Sequence, residues 1–228
     1  MAQATQPQQQ RPQAPTRPGL AGGSVLLLRV VLFVCGAVIM SVEILASRVL
    51  APEFGDTLQV WGALIGTFIG GLSLGYWLGG ILADRWPTSR GLAFLTCVGG
   101  VLITLMVYFT KAINAHIYNM SLGGDSSVWL KPLVSAAILY GLPITMLGAV
   151  NPYCVRLATR DLDRLGKRVG GFYAISSLGS IVGTFLTAFY LVGQFRVSTT
   201  IRAEGLVLVA VSVPLFVRGF LLEGKSGA

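Results

Sequence analysis

The chain has 228 residues, 54% hydrophobic and only 11% charged. A soluble domain carries about 25% charged residues, so this sequence cannot cover a globular surface with polar side chains. Its 17 Lys+Arg against 9 Asp+Glu give a net charge of +8, which read alone suggests nucleic acid; the bases instead sit in alternate loops between apolar runs, as membrane topology requires.

Residues 1–23 are rich in Gln, Pro, Ala and Gly, with two arginines and no acid. Such a segment buries too little apolar surface to order itself, and it is expected to be a disordered cytoplasmic tail. It lacks the short basic region of a signal peptide, and the apolar run behind it is too long for one.

Six apolar segments follow, within 24–222, each near the roughly 20 residues that cross about 30 Å of hydrocarbon. They are expected at Ser24–Ala46, Val60–Leu82, Leu92–Ala112, Leu133–Val150, Gly170–Val192 and Ile201–Leu222. The fourth holds Pro143 and is followed by Pro152, which neighbouring membrane helices accommodate. With the N-terminus inside, 12 of the 17 basic residues fall in inner segments and five in outer ones. Both termini, including a tail at 223–228, are therefore expected in the cytoplasm. The longest outer loop carries Trp129, expected at headgroup level, and Gly123-Gly-Asp125. That turn lies between membrane helices, so it is not the nucleotide-binding turn of an α/β sheet.

Candidate chemistry is sparse. Cys35, Cys97 and Cys154 lie in or beside apolar runs with no paired spacing, and read as small hydrophobes. His116 is the single histidine. No catalytic residue, metal site or cofactor is expected.

The second span carries two stripes of small residues. Gly62, Gly66, Gly70, Ser73 and Gly80 share one side, and Gly71, Gly75 and Gly79 line the other. Such stripes let helix backbones approach closely, either inside the bundle or against another six-helix unit. Gly62-Ala-Leu-Ile-Gly66-Thr-Phe68 also echoes Gly179-Ser-Ile-Val-Gly183-Thr-Phe185, with four of seven residues identical. The echo pairs the second span with the fifth, as a three-plus-three inverted repeat requires.

Glu43 reads as the one acid well inside a span. Intramembrane carboxylates mark ion or proton pathways by default; the alternative is a structural pair with Arg48 or Arg202. Tyr76 and Asn151, with Tyr140, Tyr173 and Tyr190, could line a polar cavity around Glu43 and Arg48, or serve only in packing.

After the second span comes Gly80-Ile-Leu-Ala-Asp84-Arg85-Trp-Pro-Thr-Ser-Arg90. It resembles the inner-loop motif of the major facilitator superfamily, with Pro87 where that family has a glycine. Asp84 is expected to pair with a cation or a helix N-terminus, Arg85 and Arg90 being the nearest cations. Three further stretches extend the likeness: Glu43 to Gly55, Gly148-Ala-Val-Asn-Pro-Tyr-Cys-Val-Arg156, and Gly171 to Phe185. Together they resemble the membrane region of the fused major-facilitator-like/spermidine synthase-like bacterial proteins, over about residues 25–222.

The resemblance implies an all-α bundle of six transmembrane helices in the bacterial inner membrane, half a major facilitator with a 3+3 inverted repeat. In that family an aminopropyltransferase-like domain follows the membrane part. This chain stops at Ala228, so no enzymatic activity is expected of it. Two functions remain: a half-transporter-like subunit acting as a homodimer or with another membrane subunit, and a non-transporting anchor for a separate spermidine synthase-like enzyme. Besides the lipid bilayer, the expected partner is thus a second copy or another subunit.

Overall fold

A computed structural model of the chain describes residues 22–121, 127–158 and 165–223. The elements are α1 (Gly22–Phe54), α2 (Leu58–Arg85), α3 (Ser89–Asn119), α4 (Ser127–Ala158), α5 (Leu165–Leu186), a π-helical turn (Thr187–Leu191), α6 (Val192–Gln194) and α7 (Val197–Glu223). The α5, π and α6 pieces form one continuous rod. Among the described residues there is no strand. Among the same residues six helices are long and apolar enough to cross a membrane: Val25–Phe54, Leu58–Arg85, Ser89–Asn119, Val128–Ala158, Gly166–Gln194 and Val197–Leu221. The chain is a multi-pass membrane protein.

Each expected segment falls within one such helical rod, and the helices are longer than the apolar runs suggest. The first continues eight residues past Ala46, and the fourth runs through Pro132, Pro143 and Pro152. Hydropathy marks only the stretch that meets hydrocarbon, whereas backbone hydrogen bonding carries a helix beyond that border. The tail expected at 1–23 gives up Gly22 and Gly23 to α1, and Glu223 belongs to α7. The remainder of both tails and the Gly123-Gly-Asp125 turn lie outside the described residues.

Local chemistry sets the helix ends. Gly55, at φ 78°, accepts the left-handed conformation that closes α1, and its N–H bonds the Ala51 carbonyl at 2.9 Å. Thr57 and Thr88 cap α2 and α3 by accepting from the N–H groups of Val60 and Gly91.

Packing is pairwise. The main partner of α1 is α5, that of α2 is α4, and that of α3 is α7, with α3 also resting on α4. The core between them is filled by Leu32, Leu45 and Leu50 of α1, Leu64 and Phe68 of α2, Ile103 of α3, Tyr140, Ile144 and Tyr153 of α4, and Ile201 and Leu208 of α7. Large apolar side chains on the outside, such as Trp77, Phe189 and Phe220, suit a bundle whose solvent is lipid.

Candidate functional site

At the end of the bundle that holds the α2–α3 connection, Asp84 meets a cation from another helix. Nε of Arg156, in the last turn of α4, donates to its Oδ1 at 2.6 Å. The expected pairing with a cation is present, but the cation is neither Arg85 nor Arg90: α2 and α4 run parallel and in close contact, so their last turns meet and Arg156 reaches Asp84. The guanidinium of Arg85 lies 5.3 Å from the Trp86 ring, and that of Arg90 lies 5.0 Å from Phe220 of α7. One turn before Arg156, the buried Tyr153 hydroxyl donates to the Trp86 carbonyl and accepts from Thr88 N–H at 3.5 Å. The loop motif is therefore clasped by α4 at two points. Gly80, the first residue of the motif, faces open space.

The two stripes of α2 have different surroundings. Gly71, Gly75 and Gly79 lie against α4, where a methyl on Gly75 would overlap the Thr145 carbonyl and one on Gly79 the Ala149 backbone. Around Gly62, Gly66 and Gly70 nothing among the described residues approaches within 4 Å of where a side chain would begin. On α5, Gly179 and Gly183 are pressed on the Phe33 and Ala37 backbones of α1. The echoed sequences thus occupy unlike places, since Gly62 and Gly66 are open while Gly179 and Gly183 are closed. Phe68 is 1% exposed and Phe185 58%. Closed against a neighbouring helix in the same way as Gly179 and Gly183 is the other stripe, Gly71, Gly75 and Gly79.

The four candidate polar residues do not gather at one point. Arg48 lines an opening of about 300 Å³ at the opposite end of the bundle, with Glu53, Lys111, Asn114, Ser198 and the buried Tyr140. Asn114 is held there by donating to the Val49 carbonyl at 3.1 Å and accepting from Ser135. The Tyr140 hydroxyl is buried without a hydrogen-bond partner among the described residues. Glu43 is half-buried on α1, Tyr76 is exposed on α2, and Asn151 is buried in α4 with Oδ1 unpartnered among the described residues. Glu43 forms no pair with Arg48 or Arg202; Arg202 donates Nε to the Ser198 carbonyl at 3.0 Å and stands over the Tyr108 ring.

A second membrane carboxylate escapes the sequence reading. Glu204 stands seven residues into α7, where its Oε1 accepts from the Ser41 hydroxyl of α1. Ser41 is also bonded to the Thr187 hydroxyl at 2.5 Å, at the first residue of the π turn. With the sixth segment starting at Ile201, Glu204 lies only three residues inside it and is not singled out from the sequence. Ser198-Thr-Thr200 is the signal that could have found it, because such residues favour helix starts and α7 does begin at Val197.

All three cysteines are free thiols, and no group of three or more His, Cys, Asp or Glu is placed to hold a metal among the described residues. The arrangement offers a clasped loop, an open small-residue face, an opening with charged residues and a hydroxyl-bound carboxylate. Comparisons with protein-family models, curated proteins and solved structures return no match.

Proposed function

We propose that the chain is a half-major-facilitator-like membrane subunit, with a 3+3 inverted repeat, that works as a pair of copies. The helix pairing supports the repeat. Shifting each helix by three exchanges the α1–α5 contact with the α4–α2 contact, and returns α3 with α7 to itself. Both exchanged contacts are closed by glycine, Gly179 and Gly183 against α1 and Gly75 and Gly79 against α4. Close backbone contact of this kind is what holds membrane helices together, because lipid tails are as apolar as leucine.

The observation that carries the pairing is the open face of α2. Gly71, Gly75 and Gly79 already hold α4, so Gly62, Gly66 and Gly70 are not needed to build the six-helix unit. A second copy laid on that face would gain the same close backbone approach, and a solute path would run between the copies. Native mass spectrometry of the chain in lipid nanodiscs tests this reading. Two copies per particle are expected; single copies with nothing attached would reject it.

A further inference from the structure

We propose that Glu204, with Ser41 and Thr187, forms a proton-binding site inside the membrane, the Glu204 carboxyl taking up and releasing the proton. The inference goes beyond the pairing of subunits and does not depend on it. Three separate elements converge on the carboxyl group. Ser41 of α1 donates its hydroxyl to Oε1, and Thr187 of the π turn holds Ser41 from the other side. Oε2 is buried and has no hydrogen-bond partner among the described residues. Glu204 lies about 10 Å along α7 from its start at 1.5 Å per residue, within a stretch apolar enough to cross the membrane.

An unpaired carboxylate in hydrocarbon is costly, so the group needs a positive charge. The neighbouring cations are placed elsewhere. Arg202 of α7 is held by the Ser198 carbonyl and the Tyr108 ring of α3. Arg48 of α1 and Lys111 of α3 line the end opening, and Arg196 is exposed before α7. Among the other titratable groups, Glu43 follows Ser41 by two residues, roughly 200° round α1. Tyr190, in the π turn, packs edge-on against Phe195. No cation lies within 4.0 Å of Glu204 among the described residues.

A metal ion fits poorly. Two carboxylate oxygens and two hydroxyls make four donors, whereas hard cations take about six to eight oxygens. A proton needs one lone pair, and Oε2 has one free. The π turn gives Thr187 its place: Val192 N–H bonds to the Thr187 carbonyl, the wider winding that often accompanies functional sites in helices. Uptake adds one proton from water to the carboxylate, leaving a neutral acid still bonded to Ser41; release returns that proton to water.

The test uses the full chain in lipid nanodiscs with dicyclohexylcarbodiimide, to whose central carbon a protonated carboxyl in apolar surroundings adds through oxygen, its proton passing to a carbodiimide nitrogen. Peptide mass mapping should place the adduct on Glu204, with yield falling at least tenfold from acid to alkaline pH and unchanged by sodium ions. Glu204→Gln should lose the adduct, and the wild-type pH series needs no variant to be read. Absence of an adduct at Glu204 at every pH would overturn the proposal. So would a yield independent of pH, or full protection by sodium, which would make the ligand a metal cation.

Discussion

Arg156 on α4 donates to the Asp84 carboxylate at the end of α2, 72 positions away in sequence, at 2.6 Å. The pair joins two helices whose glycines already touch, so it fixes their ends rather than creating their contact. With Asp84 71% and Arg156 51% exposed, it belongs to the exposed class of ion pairs, worth about 0.2–1 kcal/mol.

Asp84→Asn should accordingly lower the melting temperature in detergent slightly, by the equivalent of about 0.5 kcal/mol. Arg156→Gln should do the same, and the double variant should lose little more than either alone. Strictly additive losses would show that the two side chains act separately.

Tyr153→Phe should have a somewhat larger effect, about 1 kcal/mol, because it removes a buried hydroxyl from the Trp86 carbonyl, which keeps the Thr88 N–H as its other donor. Faster amide exchange at Trp86 and Thr88, with the rest of α2 unchanged, is the expected signature. An unchanged exchange rate would mean that α4 does not clasp this loop.

The two glycine faces of α2 should separate cleanly under substitution. Gly75→Leu places a side chain into the Thr145 carbonyl and the Gly148–Ala149 backbone, and should destabilise the fold by about 3 kcal/mol or more. At Gly66 nothing among the described residues lies within 4 Å of where a side chain would begin, so with Gly66→Leu the monomer should melt as the wild type does. Equal damage from both would contradict the assignment of inner and outer faces.

Topology is checked by labelling from outside in a variant lacking Cys35, Cys97 and Cys154. Ser121→Cys, in the connection before α4, should react with an impermeant maleimide, and Pro87→Cys should not. The reverse pattern would invert the orientation inferred from the basic residues.

The six helices were legible because 20-residue apolar runs have few other uses. Their ends were not, since a helix outlasts the hydrocarbon it crosses, and with the sixth segment begun four residues late at Ile201, Glu204 stood close to its edge. The partner of Asp84 was also illegible: Arg85 and Arg90 are near in sequence, whereas Arg156 is near only once α4 packs alongside α2. The Gly-x-x-x-Gly-Thr-Phe echo misled differently. Identical letters fix a stripe, but the neighbour that a stripe meets depends on helix rotation, and Gly66 and Gly183 face opposite surroundings.

Disulfide cross-linking at Gly66 tests the pairing most directly. In native membranes and the cysteine-free background, Gly66→Cys should form a dimer of twice the monomer mass on mild oxidation, because backbones meeting at glycine stand within disulfide reach. Phe94→Cys, on an exposed position of α3, should remain monomeric under the same conditions. A Gly66→Cys chain that stays monomeric, or a Phe94→Cys chain that cross-links as well, would contradict an interface on the open face of α2.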